Sequence, residues 1–146
     1  MRIRRGQLKD ANQILRMLKD TSELQGMSNG MEEPLYSKEY VKDYITNRQM
    51  NLVLVAEEND KIIGFILAEM WMKKKFSYLA DMLIVKEARG KGVGRKLYCF
   101  YEQYCKKNGL KNIAALVQTK NKGMHEFCKK IGLIRGERLY QYEKEI

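Results

Sequence analysis

Residues 81–95 read DMLIVKEARGKGVGR, and this stretch is the most informative part of the chain about its fold and function. Its apolar beginning predicts a strand, its middle a charged turn, and its end a glycine-spaced loop in which an amphipathic helix begins. Such a junction directs free backbone N–H groups and the positive end of a helix dipole at one point. Gly90, Gly92 and Gly94 carry no Cβ that would keep a ligand from the backbone. The stretch therefore predicts a site for an anion, most often phosphate or pyrophosphate.

The hydrophobic pattern of the chain predicts the element order β-α-α-β-β-β-α-β-α-β-β. Strands are expected over residues 1–5, 52–57, 61–70, 76–85 and 112–117, with one or two more over 133–143. Helices are expected over 10–20, after the Ser37 cap, over 92–107 and over 121–131, with a long polar loop at 21–36. Tight turns make the middle strands antiparallel, and residues 76–117 need a crossover. The predicted fold class is α/β, with a central mixed, mostly antiparallel sheet and helices on both faces.

Composition predicts a single domain over residues 1–146, with a hydrophobic content of 45% and one proline. The sequence contains no run of about 18 apolar residues, so we expect no transmembrane helix. No apolar signal region follows the basic N-terminus, so we do not expect secretion. Three cysteines without CxxC spacing argue against a disulfide framework or a zinc site. We therefore expect a cytoplasmic protein with neither a membrane nor a metal as partner.

The net charge of +10 indicates an anionic partner without identifying it. A phosphate-rich cofactor would use part of this charge. Nucleic acid would use more, but the run Lys73-Lys74-Lys75 is short and no nucleic-acid-binding motif is visible. A nucleic-acid partner is therefore the weaker alternative.

Residues 89–94 read RGKGVG, and two common glycine-rich loops do not fit them. No Gly-Lys-Ser/Thr closes a Walker A loop, and the glycines are too closely spaced for a dinucleotide fingerprint. With its R-x-x-G-x-G after a strand, the sequence resembles the GCN5-related N-acetyltransferase (GNAT) superfamily, whose hallmark at this junction is R/Q-x-x-G-x-G/A. A second hallmark of that family, N-x-x-A-x-x-F-Y-x-x-x-G-F, appears here as Asn121, Met124, Phe127, Cys128, Gly132 and Leu133.

The resemblance implies that acetyl-CoA is the cosubstrate and that its acetyl group passes to an amine. In the family, the pantetheine arm pairs with the end of the fourth strand and the loop N–H groups bind the pyrophosphate. Residues 114–117 would line the other side of the arm. The positions that the resemblance assigns to the cofactor are Met82, Leu83, Ile84, Arg89, Gly90, Lys91, Gly92, Val93, Gly94, Arg95 and Asn121.

The catalytic candidates are Glu69, Asp81 and Cys128. Attack on a thioester requires a neutral amine, and Glu69 or Asp81 could remove the proton of an ammonium through an ordered water. A salt-bridged or surface carboxylate is the alternative for each. Cys128 stands where many family members have the tyrosine that protonates the leaving thiolate. Its alternatives are a packing role for Cys128, donation by Tyr140 or Tyr142, and protonation by water.

The resemblance leaves the amine acceptor, a small molecule or a protein, open. Some family members carry a glutamate where this chain has Leu116, which weakens the case for a peptide α-amine. Trp71 and Tyr36 are candidates for the acceptor pocket, whereas the spacing of Tyr40 and Tyr44 favours core packing. Acidic residues of the 21–36 loop, Glu23, Glu32 and Glu33, would favour a cationic acceptor. A catalytically silent acyl-CoA-binding module is the alternative function, and homodimerisation is frequent in such folds.

Overall fold

The computed structural model describes residues 1–20, 36–140, 142 and 144. Within these residues the elements follow the order β1 (Arg2–Arg5), α1 (Ala11–Lys19), α2 (Lys38–Thr46), β2 (Asn51–Glu58), β3 (Lys61–Trp71), β4 (Phe76–Ile84), α3 (Val93–Lys107), β5 (Asn112–Ala115) and α4 (Lys122–Lys130). Single 3₁₀ turns lie at Leu8–Asp10, Met72–Lys74 and Lys86–Ala88. The predicted order is confirmed from the first strand through the last helix.

The five strands form one sheet in the order β1-β2-β3-β4-β5. The pairs β1–β2, β2–β3 and β3–β4 are antiparallel, and β5 runs parallel to β4. The parallel pair requires a crossover, which α3 supplies. This confirms the expected mixed, mostly antiparallel sheet.

Helices cover both faces of the sheet. Alternate side chains of a strand point to opposite faces, so the central strands are buried on both sides. The core layer between the sheet and α3 includes Leu52, Leu54, Ile66, Leu97 and Tyr101. The layer between the sheet and helices α1 and α2 includes Ile14, Val41, Val53, Phe65 and Leu67. The prediction of helices on both faces is therefore confirmed.

The predicted terminal strands are wrong for residues 133–140, which are described and form no strand. The side chain of Ile134 is 97% exposed, and Leu139 and Tyr140 are exposed as well. Because these side chains bury no apolar surface, nothing offsets the entropy lost on ordering the backbone into a ladder. β5 is also shorter than predicted and ends at Ala115. The predicted loop at 21–36 lies outside the described residues, except for Tyr36.

Candidate functional site

The outer edge of β4 is open beyond Leu79. β5 pairs with β4 only along the first four residues of β4, ending with Leu79 opposite Ala115. On its other side, β4 stays paired with β3 as far as Ile84. In the described part of the chain, no other strand pairs with residues 82–84 of β4 on this outer edge. The backbone groups of such an edge can pair with an extended ligand.

The loop after β4 leads directly into the first turn of α3. Gly90 and Gly92 have φ angles of 76° and 79°, in the left-handed region that favours glycine. A Cβ added at either position would meet no atom within 4 Å, so open space lies against the backbone. Gly92 is the N-cap of α3 and has no side chain with which to bond the helix start. The first N–H groups of α3 are therefore available to an anion.

Positive charge is concentrated at the same loop. Arg89, Lys91, Arg95 and Lys96 are all exposed and lie within or next to it in the chain. Nε of Arg89 donates a hydrogen bond of 2.9 Å to the carbonyl oxygen of Ile84, which ties the loop to the end of β4. These charges add to the dipole at the N-terminus of α3 and favour an anion there.

Gly94 differs from the other two glycines of the loop. A Cβ at Gly94 would lie 3.3 Å from Cε of Met82, 3.4 Å from Cε2 of Phe127 and 3.6 Å from Cγ1 of Ile84. The missing Cβ therefore lets α3 approach β4 and α4 closely. The sequence predicted open space at Gly90, Gly92 and Gly94, and the structure has it at Gly90 and Gly92 but not at Gly94.

A β-bulge in β4 decides which way Asp81 faces. The register with β3 shifts at Ala80, which is the extra residue of the bulge. Before the bulge, Leu79 packs into the core layer on the α3 side. After it, Leu83 packs into the layer under α1 and α2. Regular alternation would put Leu79, Asp81 and Leu83 on one face, so the bulge turns Asp81 toward α2.

Asp81 and Glu69 both accept hydrogen bonds from aromatic side chains on this face. Oη of Tyr36 donates to Oδ1 of Asp81 at 2.7 Å. Oη of Tyr44 donates to Oε1 of Glu69 at 3.0 Å, and Nε1 of Trp71 donates to Oε2 of the same carboxylate at 3.0 Å. The structure therefore brings two of the three catalytic candidates into one aromatic cluster, together with both residues expected in the acceptor pocket.

Three tyrosines form the wall of this cluster. The ring centroids of Tyr36 and Tyr40 are 5.6 Å apart, and those of Tyr40 and Tyr44 are 4.9 Å apart. Their spacing of four residues sets them on one side of α2 and its N-terminal approach, a signal that the sequence contained. Tyr78, which lies opposite Glu69 in the β3–β4 ladder, is a further member that the sequence interpretation missed.

Burial raises the pKa of the Asp81 carboxyl above its usual range, and hydrogen bonds from Tyr36 and Tyr40 partly oppose that rise. Asp81 itself is only 6% exposed. Burial also raises the pKa of Tyr40 to about 12 and raises that of Tyr36. Both hydroxyls therefore remain protonated donors at neutral pH. A buried carboxylate with increased proton affinity has the property that a general base requires.

Cys128 lies on α4 and is half-buried. Burial raises the pKa of its thiol, so the thiol stays protonated at neutral pH. Tyr140 and Tyr142, the alternative proton donors, are almost fully exposed and do not pack against the Asp81 cluster.

Two polar residues lie at the start of α4. Oδ1 of Asn121 accepts a 3.0 Å hydrogen bond from the backbone N–H of Met124 and so caps the helix. The amide nitrogen of Asn121 is the group left to donate to a ligand. Three residues earlier, Gln118 has a buried side-chain oxygen without a partner. No sequence motif pointed to Gln118.

Among the described residues, no three His, Cys, Asp or Glu side chains are grouped so that they could hold a metal ion. No helix in the described ranges is both long enough and apolar enough to cross a membrane.

Solved structures share the fold of this chain. An aminoglycoside N-acetyltransferase in complex with CoA has a TM-score of 0.75 at 14% identity, covering 99% of this chain and 100% of that one. A transcriptional regulator from Bacillus halodurans has a TM-score of 0.81 at 18% identity, covering 98% of this chain and 99% of that one. At these identities the likeness concerns the fold alone.

Sequence comparison is more specific. N-alpha-acetyltransferase 30 of Schizosaccharomyces pombe is 31% identical over 128 residues, which are 86% of this chain and 83% of the relative. The family model described as the acetyltransferase (GNAT) family matches residues 14–133, which include β4, the glycine loop and α4. The chain therefore belongs to the GNAT family and is an acetyltransferase.

Proposed function

We propose that this enzyme transfers the acetyl group of acetyl-CoA to a primary amine of a small molecule or a protein, by direct attack in a ternary complex. The observation that carries the proposal is the open edge of β4 along residues 82–84, which leads into a loop with open space at Gly90 and Gly92. An extended chain that ends in a pyrophosphate matches these two features in the order in which they occur.

The residues present fit CoA. The backbone of Met82, Leu83 and Ile84 would pair with the amides of the pantetheine arm, and the N–H groups from Gly90 to Arg95 would hold the pyrophosphate. Bound acetyl-CoA supplies a thioester carbonyl that an amine attacks, with departure of the CoA thiolate. Asn121, at the N-terminus of α4, would donate to the arm through its amide nitrogen.

Asp81 is the preferred general base, and Glu69 takes the role of a structural acceptor. Both oxygens of Glu69 already accept hydrogen bonds from Tyr44 and Trp71. Asp81 directly precedes the open edge of β4, is buried, and has a raised pKa. Asp81 would accept a proton from the attacking ammonium, directly or through one water. Tyr36 would hold the carboxylate in place.

The departing thiolate needs a proton, and Cys128 is the residue of this chain at the corresponding position. Its raised pKa keeps the thiol protonated and so preserves a proton to donate. CoA thiolate is a tolerable leaving group, so protonation by water is sufficient if Cys128 serves only for packing. Substitution of Cys128 by serine separates the two roles.

The first acceptor to test is the α-amine of a polypeptide, because the S. pombe relative is named an N-alpha-acetyltransferase. Leu116 follows the end of β5, is 63% exposed and supplies no base. If a peptide is the acceptor, Asp81 therefore has to serve as the base instead of a residue at the end of β5. The acidic residues Glu23, Glu32 and Glu33 lie outside the described residues.

Calorimetry with acetyl-CoA followed by thiol release tests the proposal. Acceptors would include peptides with free α-amines, a lysine side chain, a polyamine and an aminoglycoside. Because Cys99 is an exposed free thiol that a thiol reagent could also label, each assay is compared with a reaction without acceptor. Micromolar binding and turnover on one acceptor class are expected. Absence of CoA binding would overturn the proposal, and binding without turnover on any acceptor would favour a silent CoA-binding module.

A further inference from the structure

Two turns meet at one end of the sheet, the turn between β3 and β4 and the turn between α3 and β5. The backbone N–H groups of Lys111 and Asn112 donate hydrogen bonds of 2.8 Å and 3.2 Å to the carbonyl oxygen of Lys75. The fold therefore adds further cations to a lysine run that is short in the sequence. The basic end of the molecule consists of five exposed lysines at these turns: Lys73, Lys74, Lys75, Lys107 and Lys111.

The charge of the basic end is not balanced by nearby acidic residues. Residues 70–80 and 103–125 contain no Asp or Glu. None of the five lysines forms a salt bridge with another described residue, whereas the neighbouring Lys106 pairs with Glu102 at 3.3 Å. Like charges grouped on one surface repel each other and attract counter-ions, so this surface favours an anionic partner.

An anion at the glycine loop does not account for this surface. The basic end lies at the start of β4 and the end of α3, whereas the glycine loop lies at the end of β4 and the start of α3. β4 has nine residues and α3 has 15. From the rise per residue of a strand and of a helix, the two sites are about 20–30 Å apart. The basic end therefore needs a partner of its own.

An exposed aromatic ring adjoins the basic end. Trp71 directly precedes the β3–β4 turn and is 38% exposed. Its Nε1 donates a hydrogen bond to Glu69, which fixes the edge of the ring, and Nζ of Lys74 lies 5.0 Å from the ring centroid. The ring of Phe76 is tilted by 49° against the indole and so does not lie flat on it. An indole fixed at its edge offers a face on which a planar base can stack.

We propose that the basic end binds single-stranded nucleic acid, with a base stacked on Trp71 and the backbone phosphates at the lysines. A single strand is favoured over a duplex because only an unpaired base can reach the face of a ring. A membrane surface fits less well, since the N–H group that tryptophan offers to a bilayer interface is already bonded to the carboxylate of Glu69. Lys74 would move from the ring to a phosphate when a base takes its place.

Fluorescence anisotropy of a labelled single strand of about 12 nucleotides tests the proposal on the full chain. Wild type should bind with a Kd of about 1–100 μM, and more weakly as the salt concentration rises. Saturating acetyl-CoA should leave this binding unchanged, because the two sites are far apart. Trp71 is the single tryptophan of the chain, so stacking should quench the tryptophan emission.

Two double variants separate the basic end from net charge. Lys73→Gln/Lys111→Gln removes one cation from each turn, whereas Lys19→Gln/Lys61→Gln removes two exposed cations elsewhere. The first variant should weaken binding at least about tenfold at about 0.1 M salt and reduce the salt slope by about 1.4, and the control should change little. Lys74 is kept in both, because it contacts the ring whose emission is measured.

Several outcomes would overturn the proposal. Wild type that does not bind the strand, or equal weakening in the two variants, would show that the basic end is not the site. Displacement of the strand by CoA would place it at the glycine loop instead. Unchanged tryptophan emission, or equal affinity for a duplex, would refute the stacked base. Binding to phosphatidylserine vesicles without binding to the strand would assign the surface to a membrane. Acetyl transfer enters none of these measurements, so the proposed function stands or falls separately.

Discussion

The hydroxyl of Tyr36 and the carboxylate of Asp81 are joined by a 2.7 Å hydrogen bond, although they are 45 residues apart in the chain. The bond connects the approach to α2 with the centre of β4. It also acts on the proton affinity of Asp81: burial raises the pKa of this carboxyl, and the tyrosine hydroxyl opposes that rise. Tyr36 therefore both positions the proposed base and favours its ionised form.

Tyr36→Phe should shift the acid limb of the pH dependence of kcat/KM upward. Removal of the hydroxyl removes an interaction that stabilises the ionised carboxylate, so the pKa of Asp81 rises further and the base stays protonated to a higher pH. The expected shift is about one pH unit, because one hydrogen bond to a charged group has about that effect. A pH–rate profile with a saturating acetyl donor measures it.

Tyr98→Phe is the control for this prediction, because Tyr98 packs in the core layer on the opposite face of the sheet. Tyr98→Phe also removes one tyrosine hydroxyl, but this hydroxyl does not contact Asp81. The acid limb of the pH–rate profile should therefore stay where it is in wild type. An acid limb that does not move in Tyr36→Phe would show that Asp81 is not the group that titrates.

Asp81→Asn should reduce kcat/KM by about 10² to 10⁴, the range for loss of a general base, without reducing stability at pH 7. Asn keeps the size of the side chain and an oxygen for Tyr36. The folded-state pKa of Asp81 is raised, so ionisation of Asp81 destabilises the fold. This penalty is absent below the unfolded pKa of about 3.9, grows up to the folded pKa and is constant above it.

Thermal melts of both proteins from pH 4 to pH 8 check the second half of that prediction. The melting temperature of Asp81→Asn relative to wild type should increase with pH and then level off. If the variant is instead less stable at every pH, Asp81 is a structural residue and its loss of activity says nothing about a base.

Cys128→Ser distinguishes packing from proton donation. A serine hydroxyl fills nearly the same space but is a far weaker acid, so a packing role predicts turnover within a few-fold of wild type. A loss of about a hundredfold or more, the scale of general acid–base catalysis, would support a proton role. Cys128→Ala removes the donor entirely and serves as the companion variant. Steady-state kinetics with the identified acceptor provide the measurement.

Gly92→Asn should weaken CoA binding by at least about tenfold, corresponding to ~1.4 kcal/mol of lost interaction. The new side chain would enter the open space against the loop, where the pyrophosphate is proposed to lie. Asn is chosen because it tolerates the left-handed conformation better than most residues.

Gly109→Asn is the matched control, because Gly109 also has a positive φ angle (76°, against 79° at Gly92) and open space around it, but lies beyond the other end of α3. Both substitutions should lower the melting temperature by similar amounts, and only Gly92→Asn should affect CoA. Unchanged CoA binding in Gly92→Asn would refute the loop as the phosphate site. Gly94 is unsuitable for this test, because its substitution disturbs the packing of α3 against Met82 and Phe127.

Periodic patterns predicted the elements from β1 to α4 because each pattern reports only on its own segment. A face of Tyr40, Val41, Tyr44 and Ile45 is enough to predict α2, whatever it packs against. The tail over 133–143 was predicted by the same logic and failed for its described residues. A strand needs a neighbour, and neither Ile134 nor Leu139 packs against one.

The sequence by itself determined the glycine loop, the helix that follows it and the family, since these depend on residues that are close together in the chain. Only the tertiary structure decided the direction of Asp81. The spacing of Leu79, Asp81 and Leu83 suggests that all three share one face of the sheet. The bulge at Ala80 instead leaves Leu79 on the α3 side and turns Asp81 and Leu83 to the side of α1 and α2. Whether a ladder admits an extra residue depends on its pairing with β3, a register that no local pattern specifies. The contact between Tyr36 and Asp81 follows from that register.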